Sequence, residues 1–497
     1  MNVLPFGPGA LAFIGLYLLS LVWIGWLGRQ AREENSMRDH FIGGSGVGFF
    51  VLLLTLYATQ YSGNTILGFS GKASRVGFSW LASVHFMTAI VVTYLILAPK
   101  LFTLAKRHVF ITPTDFLAHR FQHRGLNLLA TLIMVAALLN FYLAQLTAMG
   151  RAVEGLTTLP PDTAFAWGVG VLAAVMLLYE TLGGFRAVAW TDMIQGGILA
   201  IGFVVLMALI FVEYGSLEAS TLKLAQVAPA KVLPPKAAEA RSWLSYILLL
   251  GVGAALYPQA IQRIYAARSA PALRRSLAVM AFMPLTTALI AVLAGVTAAA
   301  NLSGELSGVS TDAVLGVMMR QVQDQSALGY SLVVLIFAAV LGAIMSTADS
   351  SLLSLSSMIT KDLYAGFVNP KAGQESLTRL GKWTSTGIVV TMASLAVYMN
   401  NSGVKFTLVE LLEMKFDMLL QIAPAFLIGL HWKGLKAGPV LAGMLLGLLF
   451  ALSFFWVDDK AGGFMAWLKT SGFHPGIYAL ALNSLVAVGG SVLLRKS

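Results

Sequence analysis

The sequence contains no cysteine, which excludes disulfides, thiol catalysis and Cys-ligated metals. Charge is scarce too. Only 11% of the 497 residues are Asp, Glu, Lys or Arg, against about 25% in a soluble domain. No phosphate-binding loop occurs, so an ATP-driven pump is not expected. There is no His/Glu metal cluster and no Ser/His/acid set at motif spacing, which argues against a membrane enzyme. No channel filter motif is present. What abounds is apolar: 58% of the residues are hydrophobic. They form continuous runs, which excludes an outer-membrane barrel, whose strands would alternate.

The first run, LAFIGLYLLSLVWIGWL (Leu11–Leu27), carries no charge and is followed by Arg29 and Arg32. It is too long for a signal-peptide core and has no basic stretch before it. It therefore reads as a spanning helix. Thirteen such helices are predicted, near 9–28, 45–71, 77–104, 126–150, 163–180, 189–213, 242–258, 275–301, 327–358, 383–400, 406–430, 437–456 and 476–494. With the N-terminus outside and the C-terminus cytoplasmic, roughly two-thirds of Lys and Arg fall on the inner side, as the positive-inside rule requires. Arg263, Arg268, Arg274 and Arg275 are counted among those inner residues. The net charge of +11 is then a property of cytoplasmic loops, and nucleic acid is not expected as a partner. Glu213–Ser242 and Lys361–Lys382 are the longest polar pieces. Neither can bury a core of its own, so the expectation is one all-α polytopic membrane domain over residues 1–497.

Two helices carry interruptions. Helix two has a polar middle, Ala58–Thr65, containing Gly63, and helix seven has Gly251, Gly253 and Pro258. One Gly or Pro in a span reads as a packing kink. Here helices two to six (about 45–213) and seven to eleven (about 242–430) form two groups of five, each opening with its broken helix. Paired interruptions at matching places point to an inverted-repeat transporter. Helix one (9–28) and the helices over 437–494 are then peripheral.

Helix nine reads IFAAVLGAIMSTADSSLLSLSSMITKDLY (336–364). Ser346, Asp349 and Ser350 share one face by their spacing. Their hard oxygens suit a hard cation such as Na⁺. An acid within a span is costly and marks function. With AIMSTADSS (343–351), SSMITKDLY (356–364), ETLGGFRAVAWTDMIQG (180–196) and YATQYSGNTILGFSG (57–71), the chain resembles the sodium:solute symporter family from about Phe41 to Trp432.

The resemblance implies a LeuT-type core of two inverted five-helix repeats and a Na⁺ site formed by Ala58, Tyr61, Ala343, Ser346 and Thr347. It also implies a possible second Na⁺ site at Asp192, Ser346, Asp349 and Ser350, with cooperative sodium dependence. Two positions depart from the family. Gln60 stands where proline symporters carry Asp, and Asp349 stands where relatives with a second site have Ser. An acid at 349 can strengthen such a site, make it proton-sensitive, or pair with a base and leave no ion site.

The substrate is expected beside the breaks, near the bilayer midplane. Candidates are Gln60, Ser62, Asn64 and Thr65 on helix two, Tyr257 and Gln259 on helix seven, His85 on helix three and Lys415 on helix eleven. For His85, bonding between helices is an equal reading. For Lys415, pairing with an acid such as Asp349 is the favoured reading, because charges in a membrane usually pair with one another. The function expected is Na⁺-coupled import of an amino acid, monocarboxylate or similar zwitterion across the plasma membrane, with Na⁺ and the solute as partners. A proton-coupled transporter and a sensor module of the same fold are the alternatives. The sensor is disfavoured because no output domain follows helix thirteen. The oligomeric state is not assigned by the sequence.

Overall fold

The computed structural model describes residues 7–154, 159–304, 306, 313–323, 327–403, 407–457 and 463–496. The principal helices are α1 (Pro8–Gln30), α2 (Phe49–Gln60), α3 (Phe69–Val76), α4 (Ala82–His108), α5 (Arg124–Glu154), α6 (Pro161–Tyr214), α7 (Ala237–Gly253), α8 (Pro258–Ala266), α9 (Ala288–Asn301), α10 (Ala327–Met358), α11 (Gln374–Asn401), α12 (Leu408–Leu419), α13 (Ala437–Ser453) and α14 (Pro475–Lys496). Among the described residues, eight helical stretches are long and apolar enough to cross a membrane, or nine if the bent pair Ala237–Leu256 with Pro258–Ala266 is one span.

The tally differs from thirteen at several places: the expected helices near 45–71 and 77–104 run together over Asn64–His108, and those near 383–400 and 406–430 are not among the eight. Expected helices 163–180 and 189–213 are both present and meet within α6 at a kink at Gly184 (φ 58, ψ −147), with no loop between them. Only glycine takes that conformation without strain. Helix eleven, expected over 406–430, starts at Leu408, and residue 406 lies outside the described residues. It then passes through tighter and wider turns up to His431.

Both interruptions are real backbone breaks. In the first, Tyr61 leaves the helix (φ −103, ψ 88) and a wide turn over Asn64–Gly68 leads into α3. In the second, Tyr257 (ψ 127) precedes Pro258 at the first position of α8. Proline fits there because the first helical N–H has no partner in any case. The two helices of that pair are bent by 51°. One backbone bridge joins the ends of the two broken helices: Val47 N donates to the Ala266 carbonyl (3.1 Å), and Arg268 N donates to the Val47 carbonyl (2.8 Å).

The helix α10 is central and packs on α2, α5 and α6. Its residues from Phe337 to Met358 are buried throughout. By contrast α1 lies along α6 and leaves Leu16, Leu19, Trp23 and Trp26 exposed. Such a row of large apolar side chains on a spanning helix is a lipid-facing surface.

Candidate functional site

The first break exposes a carbonyl that helical bonding would otherwise use. The Ser346 hydroxyl donates to the Ala58 carbonyl (3.2 Å) and to Ala343 O (3.1 Å), and the Thr347 hydroxyl donates to the same Ala58 carbonyl (3.3 Å). Tyr61 lies at the break itself. All five residues are buried. The geometry thus brings Ala58, Ala343, Ser346 and Thr347 into one all-oxygen cluster, with Tyr61 one helical turn beyond Ala58. Neutral oxygens of this kind match a hard monovalent cation.

Toward α8 lies a second cluster, organised by Arg263, which the charge pattern of the sequence assigns to a cytoplasmic segment. Arg263 is 1% exposed. Its guanidinium donates to the Asp192 carboxylate (2.7 Å), to the Thr55 hydroxyl (2.8 Å), to the Gln259 carbonyl (3.0 Å) and to the Ser350 hydroxyl. Thr55 also donates to Asp192. Ser350 donates to the Ser346 carbonyl (2.6 Å) and to Asp349 (3.2 Å), whose other oxygen accepts from the Tyr179 hydroxyl (2.6 Å). Asp192, Ser346, Asp349 and Ser350 therefore do converge, and the positive charge among them is a guanidinium. Among the described residues Asp349 takes no base directly; Arg263 pairs with Asp192 and reaches Asp349 through Ser350.

The substrate candidates divide. Gln60 donates to the Tyr94 hydroxyl, which donates to the Ala254 carbonyl (3.3 Å), so Gln60 braces α2 against α4 and the second break. Ser62, Asn64 and Thr65 are buried at the first break, and neither side-chain polar atom of Asn64 has a hydrogen-bond partner. The same holds for the amide of Gln259, which is 0% exposed. Tyr257 stacks on Phe141 with centroids 5.1 Å apart and planes within 8°.

Two expectations are corrected here. His85 is exposed; its Nδ1 lies 3.0 Å from the Leu81 carbonyl and its ring packs 5.3 Å from Trp243. It is outside the cluster because its position on α4 turns away from the breaks. Among the described residues, Lys415 is buried without an acidic partner. Its Nζ has no hydrogen bond and lies 3.3 Å from the Phe141 ring centroid. The nearby acids are engaged elsewhere: Glu413 accepts from Tyr246, and Asp417 lies 2.7 Å from His474.

A model of the sodium:solute symporter family matches residues 40–447. The chain belongs to this family. It is 27% identical over 490 residues to the osmoregulated proline transporter OpuE of Bacillus subtilis, covering 97% of this chain and 94% of the relative. It is 28% identical over 471 residues to the sodium/pantothenate symporter of Escherichia coli, covering 93% and 92%. A Na⁺-coupled sialic acid symporter, solved in a substrate-bound outward-open state, superposes with a TM-score of 0.81 at 18% identity over 98% of both chains. This last likeness speaks for the fold. The protein is thus a multi-pass, Na⁺-coupled symporter of a small solute with a LeuT-type core, and not an enzyme.

Sequence reasoning missed four residues of the symporter's interior: Arg263, Tyr94, Phe141 and Phe416. A signal existed for Arg263. It stands four residues after Gln259, on the same helical face, and helix α8 is buried on every side. The aromatic residues gave none, since an aromatic in a spanning helix is ordinarily packing.

Proposed function

We propose that the symporter imports a small polar organic solute with Na⁺ across the plasma membrane, its N-terminus outside and its C-terminus cytoplasmic. Na⁺ is held by the carbonyls of Ala58, Tyr61 and Ala343 and the hydroxyls of Ser346 and Thr347. The observation that carries this reading is the meeting of two α10 hydroxyls at the one carbonyl released by the break in α2. A cation there replaces those hydroxyl–carbonyl contacts and ties the broken helix to α10; its release loosens the same joint. The solute sits beside both breaks, among Ser62, Asn64, Thr65, Tyr257, Gln259 and Lys415. Differential binding of Na⁺ to one conformation then biases alternating access.

The test is uptake into proteoliposomes under an inward Na⁺ gradient. Replacing Ser346 and Thr347 together by Ala removes two ligands, each worth about 1–3 kcal/mol. The Na⁺ concentration for half-maximal uptake should rise by about tenfold or more. Undiminished uptake when choline replaces sodium would sink the assignment.

A further inference from the structure

Lys415 lies on α12 and is 1% exposed. Three rings enclose its amine: Phe141 at 3.3 Å, Tyr257 at 5.2 Å and Phe416 at 5.2 Å from Nζ to centroid. Tyr257 is the residue at which the second broken helix opens, so the amine faces the break. Aromatic faces offset part of the cost of a buried cation. They leave its three N–H donors without acceptors.

No acid of the described residues lies within ion-pair distance of it. Asp192 is held by Arg263 and Thr55, Asp349 by Tyr179 and Ser350, and Glu180 accepts from Ser385. Glu413 and Asp417 belong to Tyr246 and His474. Among the described residues Lys415 thus has neither a hydrogen bond nor an ion pair. A cation in a membrane interior is costly unless something supplies its counter-charge. Both amide atoms of Asn64 and of Gln259, one at each break, are also buried and unpartnered.

We infer that Lys415 anchors the carboxylate of the transported solute, and that this solute is a small monocarboxylate without an ammonium group. The inference rests on the solute site proposed beside the breaks. A carboxylate supplies the missing acceptor and the missing charge together. An ammonium group would meet the opposite situation: the amine of Lys415 already stands at the second break, against Tyr257. The rings take the apolar remainder of the solute, and the amides of Asn64 and Gln259 take its hydroxyl or keto oxygen.

Purified full-length protein in proteoliposomes is offered labelled acetate, propionate, lactate, pyruvate and benzoate, with proline and glucose as zwitterionic and neutral probes. Propionamide and lactamide serve as competitors. The thermal shift that Na⁺ alone produces in detergent reports the ion site separately. The expected result is Na⁺-driven uptake of at least one acid, with no competition from its amide. Lys415→Met should weaken half-saturation by about tenfold or more and keep the Na⁺ thermal shift, whereas Lys415→Arg, which keeps the charge, should lose less. If Lys415→Met does not fold, the comparison of acid with amide on the unaltered protein decides.

Uptake of proline or glucose and of none of the acids overturns the inference. So does Lys415→Met moving an acid with unchanged half-saturation. Absence of all acid uptake with an intact Na⁺ shift rejects the anchor and leaves symport standing. Acid uptake that persists in choline, without a Na⁺ shift, rejects sodium coupling and leaves the anchor standing.

Discussion

At the scale of single residues, the pairing of Arg263 with Asp192 ties α8 to α6 in the buried interior. Asp192, Asp349 and Lys415 stand out because acids and bases are rare in apolar runs, and that rarity needs no coordinates. Their partners do not stand out, because pairing in a helical bundle joins residues far apart in sequence: Arg263 and Asp192 are 71 positions apart. Counting Arg263 with the loop arginines followed from its place near a run of Arg268, Arg274 and Arg275. The guanidinium satisfies four oxygens at once, a fork that a lysine ammonium cannot reproduce. Arg263→Met should therefore leave Asp192 buried and unpaired, at a cost of about 3–5 kcal/mol. Adding Asp192→Asn should recover much of that loss. Thermal midpoints of the two single variants and the double variant in detergent measure this, and strictly additive losses would contradict the pairing.

At the scale of elements, the existence of the helices was legible and their ends were not. The turn between expected helices 163–180 and 189–213 is reduced to Gly184 alone, because the chain stays helical right up to it on both sides. A Cβ at Gly184 would stand 2.5 Å from both the ring nitrogen and the carbonyl of His40. Gly184→Ala should then cost about 1–2 kcal/mol for the left-handed backbone, and more for the clash, read as a lowered thermal midpoint.

A second element-level feature is the latch at the start of α14. His474 N donates to the Ser245 hydroxyl on α7 (2.6 Å), while its ring lies 2.7 Å from Asp417 and 3.9 Å from Glu413 on α12. Burial works against charging this imidazole, but the carboxylates of Asp417 and Glu413 outweigh it and raise its pKa to about 10. In the unfolded chain it titrates near 6.5. The folded state thus holds the proton more tightly. The latch stabilises fully below pH about 6.5 and is lost as pH rises toward about 10. Thermal stability should fall over that window by an amount on the order of a few kcal/mol, and His474→Gln should flatten the fall. A wild-type profile as flat as that of the variant would remove the latch.

At the scale of the whole molecule, the repeat architecture was legible because its marks are local: Gly63 in one broken helix and Pro258 in the other. The ion count was less so. The family resemblance implied a second cation among four oxygen-bearing residues on two helices, and the charge found among them is Arg263. The guanidinium neutralises Asp192 and already takes the Asp192 and Ser350 oxygens that a second Na⁺ would use, while Asp349 is held by the hydroxyls of Tyr179 and Ser350. We therefore expect one Na⁺ per cycle and a Hill coefficient of about one for sodium. Combined with an anionic monocarboxylate, this makes each cycle electroneutral: one positive and one negative charge cross together. A zwitterionic solute would instead carry one net charge. Uptake into proteoliposomes whose potential is clamped with valinomycin and potassium separates these outcomes. An inside-negative potential should leave the rate unchanged. An acceleration of several-fold, since about 2.3 kcal/mol is available per charge per 100 mV, would show that more than one Na⁺ accompanies the anion, or that the solute is not an anion. The Hill coefficient distinguishes those two cases, because only an additional sodium ion raises it.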